Sequence, residues 1–180
     1  MKIKSLAVFC GSKPGINPVY IKHAEQTGLL LAQKKIRLIY GGGSVGIMGA
    51  IAASVMKNGG EVQGIIPKML VDREHQHDNI TELTVVDDMH MRKRRLYDLC
   101  DAALILPGGF GTMDELFEIL TWNQLFIHNK QIFLLNSAGF YDHLVMHIRL
   151  LEKEQFLYEK IEESLIIINV PEEMAAHLDQ

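Results

Sequence analysis

The chain has 180 residues, 48% of them hydrophobic, which suffices for a buried core and reads as a single domain over residues 1–180. Its formal charge of −4 supplies no positive field for non-specific nucleic-acid or membrane binding, so neither partner is expected. Cys10 and Cys100 form no Cys-x-x-Cys pair, and the first apolar run is too short for a signal peptide or a spanning helix; reduced thiols and a cytoplasmic location are expected.

An apolar run at 6–10 opens the chain, followed by Gly11-Ser12 and helical periodicity over 19–33. A second run at 36–40 leads into Gly41-Gly42-Gly43-Ser44-Val45-Gly46 and a helix over 47–57. A strand at 62–66 precedes the polar stretch 71–81, the one long irregular segment, which suits a lid or an interface element. Then come a strand at 83–86, a helix over 89–100, a strand at 102–106, the glycine-bearing loop 107–112 and a helix over 113–126. Strands at 132–135 and 165–168 alternate with helices over 141–154 and 172–178. This rhythm predicts an α/β fold: a doubly wound parallel sheet with helices on both faces. In such sheets ligands bind outside the carboxyl ends of the strands, so the site belongs where the three glycine loops converge.

The most informative stretch is Leu106-Pro107-Gly108-Gly109-Phe110-Gly111-Thr112-Met113-Asp114-Glu115. Glycines let the backbone approach a ligand, and a helix starting near Thr112 adds unpaired N–H groups and the positive end of its dipole, which suit a phosphate. Glu115 then lies one turn inside an anion-favouring site, although Thr-x-x-Glu is also a capping box. In the helix over 89–100, Met89, Leu96, Leu99 and Cys100 form an apolar stripe at roughly 100° per residue. Arg92 falls inside that stripe, Lys93 flanks it and Arg94 points away. An inward arginine needs an anionic partner to offset its desolvation, and a phosphorylated ligand or Glu115 would supply one. Arg94 and Arg95 read as a solvated face.

Three other patterns compete. Gly41-x-Gly43-x-x-Gly46 matches a dinucleotide fingerprint, but Glu61, at the required spacing, precedes its strand and would sit at the wrong end of the sheet. Gly42-x-Ser44-x-Gly46 matches a nucleophile elbow, with Asp142, His143, His147 and His177 later in the chain. His75-Gln76-His77-Asp78 and the His143/His147 pair each lack an obvious third metal ligand. No metal or organic cofactor is expected.

Pro107-Gly108-Gly109-Phe110-Gly111-Thr112-x-x-Glu115, combined with Met89-His90-x-Arg92-Lys93, resembles the Lonely-Guy (LOG) family, as do residues 41–49 and 66–74. These are cytokinin riboside 5′-monophosphate phosphoribohydrolases, whose bacterial relatives have often carried a lysine decarboxylase label. The resemblance covers nearly the whole chain. It implies a Rossmann-like homodimer that hydrolyses the N-glycosidic bond of adenine-type nucleoside 5′-monophosphates to free base and ribose 5-phosphate. It places the catalytic pair on Arg92 and Glu115. Substrate contacts fall on Glu74, Arg92, Lys93, Gly109, Phe110, Gly111, Thr112, Met113, Asp114, Glu115 and Thr121. Asp114 departs from the family pattern, where Glu is frequent. Molybdenum-cofactor carriers resemble the same family in fold and phosphate loop and make a non-catalytic binding protein the alternative. A pyridoxal-dependent decarboxylase would need a lysine placed for a Schiff base, and none is singled out. Leu116, Leu120, Trp122 and Phe126 would serve either a dimer interface or the core.

Overall fold

The structure is a computed structural model that describes residues 2–71 and 79–178. Seven strands form one sheet: β1 (Ser5–Phe9), β2 (Arg37–Tyr40), β3 (Val62–Pro67), β4 (Glu82–Val86), β5 (Ala102–Ile105), β6 (Gln131–Leu135) and β7 (Leu165–Ile168). All neighbours run parallel, in the order β4-β3-β2-β1-β5-β6-β7. The helices are α1 (Val19–Lys34), α2 (Gly46–Lys57), α3 (Met89–Leu99), α4 (Phe110–Gln124), α5 (Asp142–Lys153), α6 (Ile161–Ser164) and α7 (Pro171–Leu178). The expected Rossmann-like, doubly wound architecture is therefore present.

Parallel strands covered on both faces read as unbroken apolar runs, and their side chains alternate between two cores. Leu6, Val8 and Cys10 point into a core shared with Leu31 of α1, Ile51 and Val55 of α2 and Met174 of α7. Ala7 and Phe9 point the other way, toward Leu96 and Tyr97 of α3, Leu116 and Ile119 of α4 and Ile148 of α5. Leu116 and Leu120 thus belong to the core, Trp122 packs partly buried against it, and Phe126 is exposed. Both cysteines are free and buried, and burial pushes the Cys100 thiol up to about 11. At the amino end of the sheet, Asp101 Oδ2 accepts hydrogen bonds from the Lys4 and Ser5 N–H groups at 2.8 and 3.0 Å and ties β5 to β1.

Strand order reverses at β1, whose neighbours are β2 and β5. There the Gly11 N–H donates to the Pro107 carbonyl at 3.0 Å, and the Ile47 and Met48 N–H groups donate to the Gly11 carbonyl at 3.1 and 3.3 Å. The loops after β1 and β5 and the start of α2 are thereby knitted together at the carboxyl end of the sheet.

The structure departs from expectation at the start of one helix and in one added helix. The helix after β5 starts at Phe110, with Gly109 in extended backbone as its N-cap, rather than near Thr112. Thr112 therefore lies inside the first turn, and Thr112/Glu115 is not a capping box. The short α6 has no counterpart in the sequence reading, because four residues carry too little periodicity to register. Of the stretch 71–81 proposed as a lid or interface element, 72–78 lie outside the described residues.

Candidate active site

A cavity of about 560 Å³ opens at the reversal point, lined by the Gly11 loop, Gly41, Met48, the 107–112 loop, Arg92 and Glu115, with Tyr20 and Phe140 also on its wall. Three strand-following loops meet there, as the α/β topology requires. The first N–H groups of α4, at Phe110, Gly111 and Thr112, have no acceptor within the helix and face this region with the helix's positive end. A Cβ built on Gly109 or Gly111 would meet nothing within 4 Å, so the chain's own packing does not demand glycine at either position. Open space in front of unpaired amides is the arrangement a phosphate needs.

Thr112 and Glu115 sit at 3% and 9% exposure, respectively, one turn apart on the inward face of α4. Arg92, at 6% exposure, comes from α3 across the cavity. Asp88 caps that helix by accepting the Met91 N–H at 2.8 Å, which fixes the phase that turns Arg92 inward and leaves Arg94 and Arg95 exposed. The Arg92 guanidinium donates from Nε to the Ile65 carbonyl and from Nη2 to the Gly41 carbonyl, both at 3.2 Å. Burying a charge costs several kcal/mol, while a hydrogen bond to a charged group contributes about 1.5–3 kcal/mol. The carbonyls at the ends of β2 and β3 thus offset much of the cost and hold the guanidinium in place. Gly41 makes room for this placement, since a Cβ there would collide with Arg92 Nη2 and displace it.

The structure brings Arg92, Gly109, Phe110, Gly111, Thr112 and Glu115 together in one cavity. Other expected contacts lie elsewhere. Lys93 Nζ is 2.7 Å from Asp114 Oδ2 and 3.3 Å from Glu118 Oε2, and none of the three lines the cavity. Met113 packs against the core. Thr121 is exposed, donates to the Phe117 carbonyl at 2.6 Å, and lines a separate groove with Leu120, Gln124 and Leu151. Glu74, His75 and His77 lie outside the described residues. The sequence reading missed Lys13, Tyr20, Phe140 and Met48. Lys13 and Phe140 follow β1 and β6, so the carboxyl-end rule could have found them; Tyr20 and Met48 carried no local signal.

The competing patterns fail on geometry. Glu61 pairs with Arg37 at 2.7 Å at the amino end of the sheet, remote from any dinucleotide at the other end. Ser44 lacks the strained backbone of a nucleophile elbow: among the described residues only Lys35, Phe126, Ala138 and Gln155 are non-glycines with positive φ. His143 and His147 are exposed. No helix among the described residues is long and apolar enough to cross a membrane.

The model of a family described as possible lysine decarboxylase matches residues 48–178. A cytokinin riboside 5′-monophosphate phosphoribohydrolase of Arabidopsis thaliana is 44% identical over 156 residues, covering 87% of this chain and 72% of that protein. The enzyme of the same description from Rhodococcoides fascians is 44% identical over 155 residues, covering 86% and 78%. Among solved structures, the molybdenum cofactor binding protein from Rippkaea orientalis superposes with a TM-score of 0.73 at 22% identity, covering 99% of this chain and 96% of that one. The last likeness concerns the fold alone.

Proposed function

Because this chain belongs to the LOG family of cytokinin riboside 5′-monophosphate phosphoribohydrolases, we propose that it is a hydrolase that cleaves the N-glycosidic bond of an adenine-type nucleoside 5′-monophosphate, releasing the free base and ribose 5-phosphate. The observation that carries this reading is a buried carboxylate, Glu115, one turn below the open N-terminus of α4, with buried Arg92 in the same cavity. A pure carrier of an anionic ligand gains nothing from a carboxylate beside the anion. That disfavours the carrier reading, which has only likeness of fold behind it.

Cleavage passes through an oxocarbenium-like ribose, and the protein must anchor the phosphate, stabilise that cation, orient water and let the base depart. The amides of Gly109, Phe110, Gly111 and Thr112 and the Thr112 hydroxyl hold the phosphate, which fixes the ribose relative to Glu115. Glu115 stabilises the sugar cation and acts as general base toward water. Arg92, held by the ends of β2 and β3, orients Glu115 and offsets local negative charge. Glu74 is assigned to a sugar hydroxyl or the base on family grounds. A decarboxylase would use a lysine Schiff base, yet Lys13, the lysine at this cavity, is exposed at its rim.

The homodimer belongs to the same proposal. Phe110, Phe117, Thr121 and Leu125 share one exposed stripe of α4, so Thr121 would reach a nucleotide only in the cavity of a second copy. The test is to incubate the protein with AMP and with isopentenyladenosine monophosphate and separate the products. Release of base plus ribose 5-phosphate by the wild type, abolished in Glu115→Gln with nucleotide binding retained, is the expected result. A fully active Glu115→Gln refutes the mechanism, and a co-purifying pterin without hydrolysis would favour the carrier.

A further inference from the structure

Lys93 follows Arg92 directly on α3, about 100° further round the helix, and this turn sends the two cations to different tasks. Its ammonium bridges Asp114 and Glu118, one turn apart on α4, at 2.7 and 3.3 Å. Tyr97, one turn beyond Lys93 on α3, donates its hydroxyl to Glu118 Oε2 at 2.8 Å and lies 3.4 Å from the Glu115 carbonyl. Its ring packs against Trp122 of α4 at 4.9 Å and Phe9 of β1 at 5.8 Å, so the hydroxyl is carried on a rigid, buried arm. Asp114 is 58% exposed and its pairing is largely screened, whereas Glu118 is 28% exposed and is shared by both α3 donors. Glu118 is therefore the centre of the cluster. On α4 these contacts run from Asp114 through Glu118 to Trp122 and so bracket Glu115, and none of Lys93, Tyr97 and Glu118 lines the cavity.

We propose that Lys93, Tyr97 and Glu118 form a clamp that fixes the rotation of α4 about its axis, and thereby the place of the Glu115 carboxylate opposite Arg92. Lys93 and Tyr97 are positioning residues, not ligand contacts. The clamp rests on the reading of Glu115 as the carboxylate that acts on the ribose. Burial works against the Lys93 ammonium, but its hydrogen bonds to Asp114 and Glu118 outweigh that and hold it above its usual range, so the clamp stays charged at neutral pH.

The test compares wild type, Lys93→Met, Lys93→Arg, Tyr97→Phe and Glu118→Gln by kcat and KM for AMP and isopentenyladenosine monophosphate, alongside amide hydrogen exchange over residues 110–118. A misplaced catalytic group lowers kcat, on the order of tenfold or more, while ground-state binding is kept. Lys93→Met, Tyr97→Phe and Glu118→Gln should all show that split, and Lys93→Arg, which can still bridge two carboxylates, should recover most of the loss. A raised KM with unchanged kcat in Lys93→Met would make it a ligand contact and overturn the clamp, as would wild-type kcat in Tyr97→Phe and Glu118→Gln. If the wild type releases no base from either nucleotide, the hydrolase reading has failed by itself. The exchange measurement then decides the clamp: faster exchange confined to the start of α4 in Lys93→Met supports it, and unchanged exchange overturns it.

Discussion

Glycines of identical composition do different work in this cavity. Gly41 leaves room for Arg92 Nη2, which occupies the place its Cβ would take, so a side chain there would push the guanidinium aside. Gly109 and Gly111 face open space, so any demand for glycine there comes from outside the chain. Gly111→Ala should be no less stable than wild type, since alanine is the better helix former by up to about 1 kcal/mol. It should nevertheless bind nucleoside monophosphate several-fold more weakly, measured by titration calorimetry; unchanged affinity would show that the phosphate does not approach this residue. Gly41→Ala should keep nucleotide affinity yet lose turnover on the order of a hundredfold by displacing the guanidinium. Steady-state kinetics beside a binding titration would show it, and wild-type turnover would remove Arg92 from the mechanism. The sequence flagged these glycines as a motif but could not sort them, because the sorting depends on what lies opposite each Cα.

The wall of the cavity depends on how elements are tied together. His23 of α1 is buried, and its Nδ1 lies 2.8 Å from the buried Ser137 hydroxyl in the turn after β6. That turn passes through Ala138 at a φ of 51° and delivers Phe140 to the cavity and Tyr141, whose hydroxyl donates to the Leu106 carbonyl at 2.7 Å. Burial lowers the His23 pKa; Glu172 opposes this and Lys22 adds to it, leaving the group below its usual value. The unfolded state then binds the proton more readily, so stability is full above about pH 6.5 and falls as pH drops through the folded value. Thermal melts between pH 7 and pH 5 should show a midpoint that declines with acidity in wild type and declines less in His23→Leu. Parallel curves would mean that His23 does not titrate differently on folding. The start of α4 is an element-scale lesson of a similar kind. Thr112 looked like the cap, but Gly109 takes that position because the loop leaves β5 extended, and Glu115 is thereby released for the cavity.

At the scale of the whole molecule, the proposed dimer would cover the exposed apolar stripe of α4. Phe110 and Phe117 lie along α4, and Leu125, Phe126 and Ile127 follow at its end, all exposed. Sedimentation should find a dimer for wild type and a monomer for Phe117→Asp, with turnover falling in the monomer if Thr121 completes the partner's cavity; a monomeric, fully active wild type would end that proposal. The rhythm of strands and helices, the parallel sheet and the location of the cavity were all legible in the chain itself. Strands buried on both faces are written as unbroken apolar runs, and the glycines that follow them mark the carboxyl ends where such sheets bind ligands. Partner choice was not legible. Arg92 meets the carbonyl of a residue 51 positions earlier, Lys93 turns to α4 rather than into the cavity, and Thr121 faces outward. Periodicity records which face of an element is apolar; which distant atom waits opposite a given side chain is decided only when the elements pack.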